Sequence, residues 1–395
     1  MGFLLAIATR VQRGLMATLV LAALSSGAGW STATAQNLDL AAPEARNDGW
    51  PVDRPLSAGF NETKLAALNE RLLDGEFITA HAVVIEHDNA LVYEHYRTAQ
   101  IAFANGVDPA TTYGPNTQHA LWSVSKSITS LILGIVLENH PEVSLETPIL
   151  DLLPADIVPL DPAAREITLE DALTMSAGLS WNEWIYRITD GRNKASQLVR
   201  HTDPLDYLFA QEMADIPGSR FSYNSGLTVA LSGVIANLSE RRFGQVATDA
   251  LFVPLGVRPG GLPSGQTWGI NGASMASIAL TMSPRGLAKI GSLMLHHGQW
   301  QGKQVVPAEW IALSSTPYRV DADDGLYAEY GYHWWFRTFT QGGRSFPAIV
   351  ARGLGGQRIF VLPEQNLVVT MLAWHDADHR WLSEKLLLEI LDTLE

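Results

Sequence analysis

The chain has 395 residues, 47% of them hydrophobic and 17% charged, which supports a large packed core and excludes a mainly disordered protein. A formal net charge of −14 argues against nucleic acid or an anionic membrane surface as the main partner. The absence of cysteine excludes disulfides, thiolate metal sites, cysteine nucleophiles and lipidation at cysteine.

At the N-terminus, Arg10 and Arg13 precede an apolar run over 14–24, and Ala33-Thr34-Ala35 stands before Gln36. A basic start, a short apolar stretch and an A-x-A site predict a secretory signal peptide over 1–35. The run falls short of the ~20 apolar residues of a spanning helix, so export to the periplasm or medium is expected, with no stable membrane span after cleavage. Residues 36–60 read as an irregular lead-in, and 61–395 as the main domain, with a sheet part at 61–118 and 311–395 and a helical part at 119–310.

In chain order, a helix is predicted over 61–73 behind a cap-like Asn61. Strands over 80–87 and 90–96, joined at Asp88-Asn89, read as a hairpin. Residues 99–120 are polar and loop-like. The stretch 121–139 carries Ile128, Leu131, Ile132, Ile135 and Val136 at steps of three and four, the mark of a buried helix. Further helices are predicted over 144–153, 168–174, 194–200, 205–212, 226–238, 243–251 and 284–297. Strands follow over 331–336, 348–352, 357–362 and 366–373, the last two joined by a turn at 363–366, and a helix closes the chain over 380–394. Strands at both ends with helices between predict an α+β fold: one antiparallel sheet formed by both chain ends, flanked by terminal helices, with a helical part inserted.

Three stretches carry candidate chemistry. Ser123-Val124-Ser125-Lys126 opens the buried helix, and residues three apart share a helical face. A serine in a first turn, beside a lysine that burial can deprotonate, is a candidate covalent nucleophile. Tyr223, in Tyr223-Asn224-Ser225 after Pro217-Gly218, is a candidate base if a cation lies near. Gly353-Leu354-Gly355-Gly356-Gln357 puts three glycines in a strand region, which marks a close approach of backbone or ligand, or a tight turn. Trp122, Trp181, Trp184, Trp334 and Trp335 are candidates for an apolar pocket or for the core. Two other patterns are weaker. Gly272-Ala273-Ser274-Met275-Ala276 lacks the last glycine of a nucleophile elbow. His375-Asp376-Ala377-Asp378-His379 has no distant third ligand and reads as a helix start, not a metal site. His296-His297 suits a helix C-terminus.

The order Ser-x-x-Lys, Tyr-x-Ser and glycine strand resembles the serine β-lactamase-like superfamily. That group holds penicillin-binding enzymes, class C β-lactamases, family VIII carboxylesterases and 6-aminohexanoate-dimer hydrolases. The phrases at 167–179, Pro254-Leu255-Gly256 and Met282-Ser283-Pro284-Arg285 extend the resemblance over about 48–394. It implies a cofactor-free hydrolase of a small ester or amide, with Ser123, Lys126 and Tyr223 as catalytic residues. Gln357 and Ser123 would supply oxyanion N–H groups, while Gly356, Ser225, Leu354 and Trp122 would bind substrate. The chain departs from the penicillin-binding pattern at Ser225, where that pattern has asparagine, and at Leu354, where it has a carboxylate-binding lysine. The carboxylesterase branch is therefore expected. The amide-dimer hydrolase is the enzymatic alternative, and a non-catalytic scaffold or receptor the alternative of another class. Oligomeric state is not legible.

Overall fold

The structure is a computed structural model and describes residues 40–100, 102–103, 106–107, 110–258, 275–322, 325–375 and 381–395. The predicted signal peptide, most of the elbow-like stretch around Ser274 and the 376–379 part of the histidine-rich stretch lie outside these residues.

A seven-stranded antiparallel sheet runs, edge to edge, through Glu329–Tyr330, Trp335–Gln341, Arg344–Gly353, Gln357–Leu362, Leu367–Ala373, Ala80–His87 and Ala90–Tyr96. The two chain ends meet where Val83 faces Met371. The N-terminal hairpin turns at Asp88 and Asn89, both at positive φ (48° and 67°), the backbone of a tight two-residue turn that short polar residues tolerate. Leu367–Ala373 is buried along its whole length because both sheet faces are covered. On one face, a Cβ added to Gly291 of the Pro284–Leu295 helix would lie 2.5 Å from Val368, so glycine allows that helix to sit close. On the other, Arg358 Nε donates to Glu384 Oε1 of the C-terminal Leu382–Leu391 helix at 2.8 Å.

Between the two sheet segments lie the helices. Glu62–Leu73 precedes the sheet, with Asn61 accepting from Lys64 N–H. Val124–Leu137 is the central helix, buried without a break from Val124 to Gly134. Leu169–Leu173, Lys194–Arg200, Pro204–Phe209, Ser225–Ser239 and Phe243–Ala247 pack around it or its neighbours.

Two expectations need correction. Of the helix predicted over 144–153, only the 3-10 turn Ile149–Leu152 forms, because Pro148 offers no N–H and fixes its own φ. The strand predicted over 331–336 begins at Trp335. Before it the chain turns through His333 at φ 64° and Gly331, where a Cβ would meet Thr316 O at 2.4 Å. A helix at Ala308–Ser314 adds to the predicted elements; it begins after Pro307, and Trp310, Ile311 and Ser314 form its buried face. Elsewhere the strand predicted over 348–352 extends to Arg344–Gly353. Among the described residues, no helix is long and apolar enough to cross a membrane.

Candidate active site

Ser123 stands at the N-cap of the central helix, half-buried, held by a turn that begins one residue earlier. Trp122 has φ 51°, a left-handed conformation that costs a bulky residue about 1–3 kcal/mol. The turn is fixed from both sides. Leu121 N–H donates to Leu280 O, and Gly353 packs so closely that a Cβ there would lie 2.2 Å from Leu121 O. The glycine-rich strand end is thus a close backbone approach beside the Ser123 turn. Gly355 and Gly356 then reverse the chain at φ 80° and 98°.

One turn into the helix, Lys126 is 1% exposed and its Nζ donates to Ser123 Oγ at 3.1 Å and to Ser277 O at 3.1 Å. Burial lowers its pKa to about 8, and the Glu183 carboxylate opposes that shift. The same Nζ lies 5.1 Å from the centre of the Tyr223 ring. Tyr223 is stacked between Trp184 (5.5 Å between centroids) and Trp335 (5.9 Å), with Tyr330 edge-on. Its loop hangs on the 174–178 stretch: Ser222 N–H donates to Met175 O, Asn224 N–H to Met175 Sδ, and Gly218 N–H to Ser176 O. The phrase around Met175, singled out in the sequence only as a resemblance, therefore has a physical task in holding the tyrosine loop.

Ser225, the first residue of the Ser225–Ser239 helix, is buried against Glu183. Its Oγ donates to Glu183 Oε1 at 2.8 Å and its N–H to Oε2 at 2.9 Å. Trp181 Nε1 also donates to Oε2 at 2.9 Å. Glu183 was not a candidate in the sequence. Its only signal was an acid beside a tryptophan, Trp181-Asn182-Glu183, in a stretch read as loop.

The remaining candidates sort by exposure. Gln357 is fully buried; its amide bridges Leu354 O, Ala373 O and Ala373 N–H, so its side chain ties the hairpin. Gly356 lies under His375, where a Cβ would be 2.6 Å from Nε2. Leu354 stands out at 47% exposure. Trp122 packs on Trp374 at 6.0 Å, and Trp374 in turn lies over Gly355. Trp181 and Trp334 are core residues. Among the described residues, no group of three or more histidines and acids is placed to hold a metal. His296 sits at a helix end as expected, its Nε2 2.9 Å from Glu86 Oε1.

A model of the Beta-lactamase family matches residues 65–381. The chain belongs to that family. It is a serine hydrolase with the β-lactamase/transpeptidase-like fold, as the sequence motifs implied. Among curated proteins, the 6-aminohexanoate-dimer hydrolase of Paenarthrobacter ureafaciens is 24% identical over 379 residues, which cover 91% of this chain and 89% of that one. Two solved structures show the same fold. EstCE1, a hydrolase with promiscuous acyltransferase activity, has a TM-score of 0.63 at 15% identity over 86% of this chain and 99% of its own. A penicillin-binding protein homologue from Caulobacter crescentus has a TM-score of 0.63 at 18% identity, over 84% and 98%.

Proposed function

We propose that this family member cleaves a small neutral ester or amide through an acyl-enzyme on Ser123, with carboxylesterase-type activity its main reaction. The observation that carries the reading is the 3.1 Å bond from buried Lys126 Nζ to Ser123 Oγ, with the Tyr223 ring beside the same amine. In its neutral form Lys126, together with Tyr223, takes the Ser123 proton as Oγ attacks the substrate carbonyl. The N–H groups of Ser123 and Gln357 hold the oxyanion. Collapse expels the alcohol or amine, which receives the proton, and a water activated by Tyr223 then attacks the acyl carbonyl and frees Ser123 with the acid product.

The chemistry at the rim supports a neutral substrate. Leu354 and Trp184, the latter stacked on Tyr223, expose 47% and 52% of their surface, and neither carries a charge that would offset a carboxylate. This disfavours β-lactams, whose carboxylate would meet a leucine. The curated relative's name keeps linear amide hydrolysis as the second reading. A panel of p-nitrophenyl acyl esters, linear amides and nitrocefin tests the proposal. Ester turnover should exceed nitrocefin turnover, and Ser123→Ala should abolish it without loss of fold. Nitrocefin as the best substrate, or a Ser123→Ala chain that still turns over esters, would refute it. Export after cleavage near Ala35 belongs to the same proposal; N-terminal sequencing of protein from the culture medium or periplasm should begin close to Gln36, and an intact Met1 there would reject it.

A further inference from the structure

We infer that Glu183 is a positioning residue of this site, pinning the start of the Ser225–Ser239 helix and opposing the charge of Lys126, so that it governs where the proton taken from Ser123 resides. The inference rests on the reading of Ser123 and Lys126 proposed above. Its geometry is specific. One carboxylate takes three donors, Ser225 Oγ–H, Ser225 N–H and Trp181 Nε1–H, all between 2.8 and 2.9 Å. Two of these come from the first residue of a 15-residue helix, where the unpaired N–H groups favour an anion. The Asn193 side chain fixes the loop from behind by donating to Glu183 O at 2.7 Å. The carboxylate is thereby fixed at the helix start two residues beyond Tyr223, whose ring lies 5.1 Å from Lys126 Nζ, and its negative charge opposes the effect of burial on that amine.

Other titratable groups face the pair from every neighbouring element. Tyr223 comes from its loop, Tyr330 from the edge strand, His333 from the turn that follows it, Lys194 from across Trp181, and Arg352 from over the Trp335 ring. Burial and Lys126 hold His333 at about 3, and burial raises Tyr330 well above its ordinary range, so neither changes charge between pH 6 and 9. Without the Glu183 charge, burial alone would act on Lys126 and its proton would leave at lower pH.

The test is the pH profile of kcat/KM for p-nitrophenyl acetate, taken with the pH profile of inactivation by a fluorophosphonate. Wild type should show an acid limb centred near 8. In Glu183→Gln that limb should move about one unit lower, the size of one charge acting across a poorly solvated gap, while the plateau falls. Ser225→Ala keeps the charge and removes one tether, so its plateau should fall with the limb unmoved. If Glu183→Gln does not fold, Glu183→Asp carries the test, because retracting the charge should move the limb the same way by less. An unmoved limb in an active, folded Glu183 variant overturns the inference. So does a Ser225→Ala limb that shifts as far as that of Glu183→Gln. Failure of the underlying reading looks different: wild type itself would resist the fluorophosphonate.

Discussion

At 1% exposure, a lysine that keeps its charge must be held by its surroundings, and Lys126 has two oxygen acceptors and the opposing charge of Glu183. The balance leaves its pKa at about 8. The sign for catalysis follows. A base must be deprotonated to receive a proton, so turnover should rise with pH through about 8 and level off above it. At pH 7, roughly a tenth of the molecules would hold the amine in its neutral form. This is the acid limb against which the Glu183 variants are measured, and a flat wild-type profile from pH 6 to 9 would contradict the role given to Lys126. The same residues show why part of the site was legible. Ser123 and Lys126 are one helical turn apart, so their meeting follows from spacing alone. Glu183 and Ser225 are 42 positions apart, and only the folded chain brings them together.

Among the elements, the central helix depends on a residue with no side chain. Gly134 lies where a Cβ would fall 2.2 to 2.5 Å from the indole of Trp310, itself 6% exposed and unable to retreat. Two effects oppose each other in Gly134→Ala. Alanine gains about 1 kcal/mol of helix propensity, whereas forcing a methyl into a packed contact costs about 1–3 kcal/mol. The clash is with rigid ring atoms, so the loss should win. Denaturant unfolding should show Gly134→Ala destabilised, by up to about 2 kcal/mol, with an unchanged m-value; a variant more stable than wild type would contradict the packing described. The Ala308–Ser314 helix that carries Trp310 gives little signal in the sequence because Pro307 at its start offers no capping side chain, whereas Asn193 caps the equally short Lys194–Arg200 helix. Val124–Leu137 was clear because its apolar positions run through 14 residues.

For the whole molecule, the sheet was legible because its terminal strands carry β-branched and aromatic residues bounded by turn residues, as in Leu367–Ala373 after Asn366 at φ 49°. Its closure from both chain ends followed from the order of elements. What composition and spacing could not give was the wall of the cleft, since Trp122, Trp184 and Trp335 look alike as letters and differ only in what covers them. The fold brings the Tyr223 ring from a distant part of the chain to the Ser123–Lys126 turn, and the proposed acyl-enzyme depends on that convergence. The most direct measurement is therefore peptide mapping by mass spectrometry after reaction with a fluorophosphonate. The account predicts one adduct per chain, on Ser123 in the peptide spanning Trp122 and Ser123, and no adduct in Ser123→Ala. An adduct on another serine, or none in wild type, would contradict it.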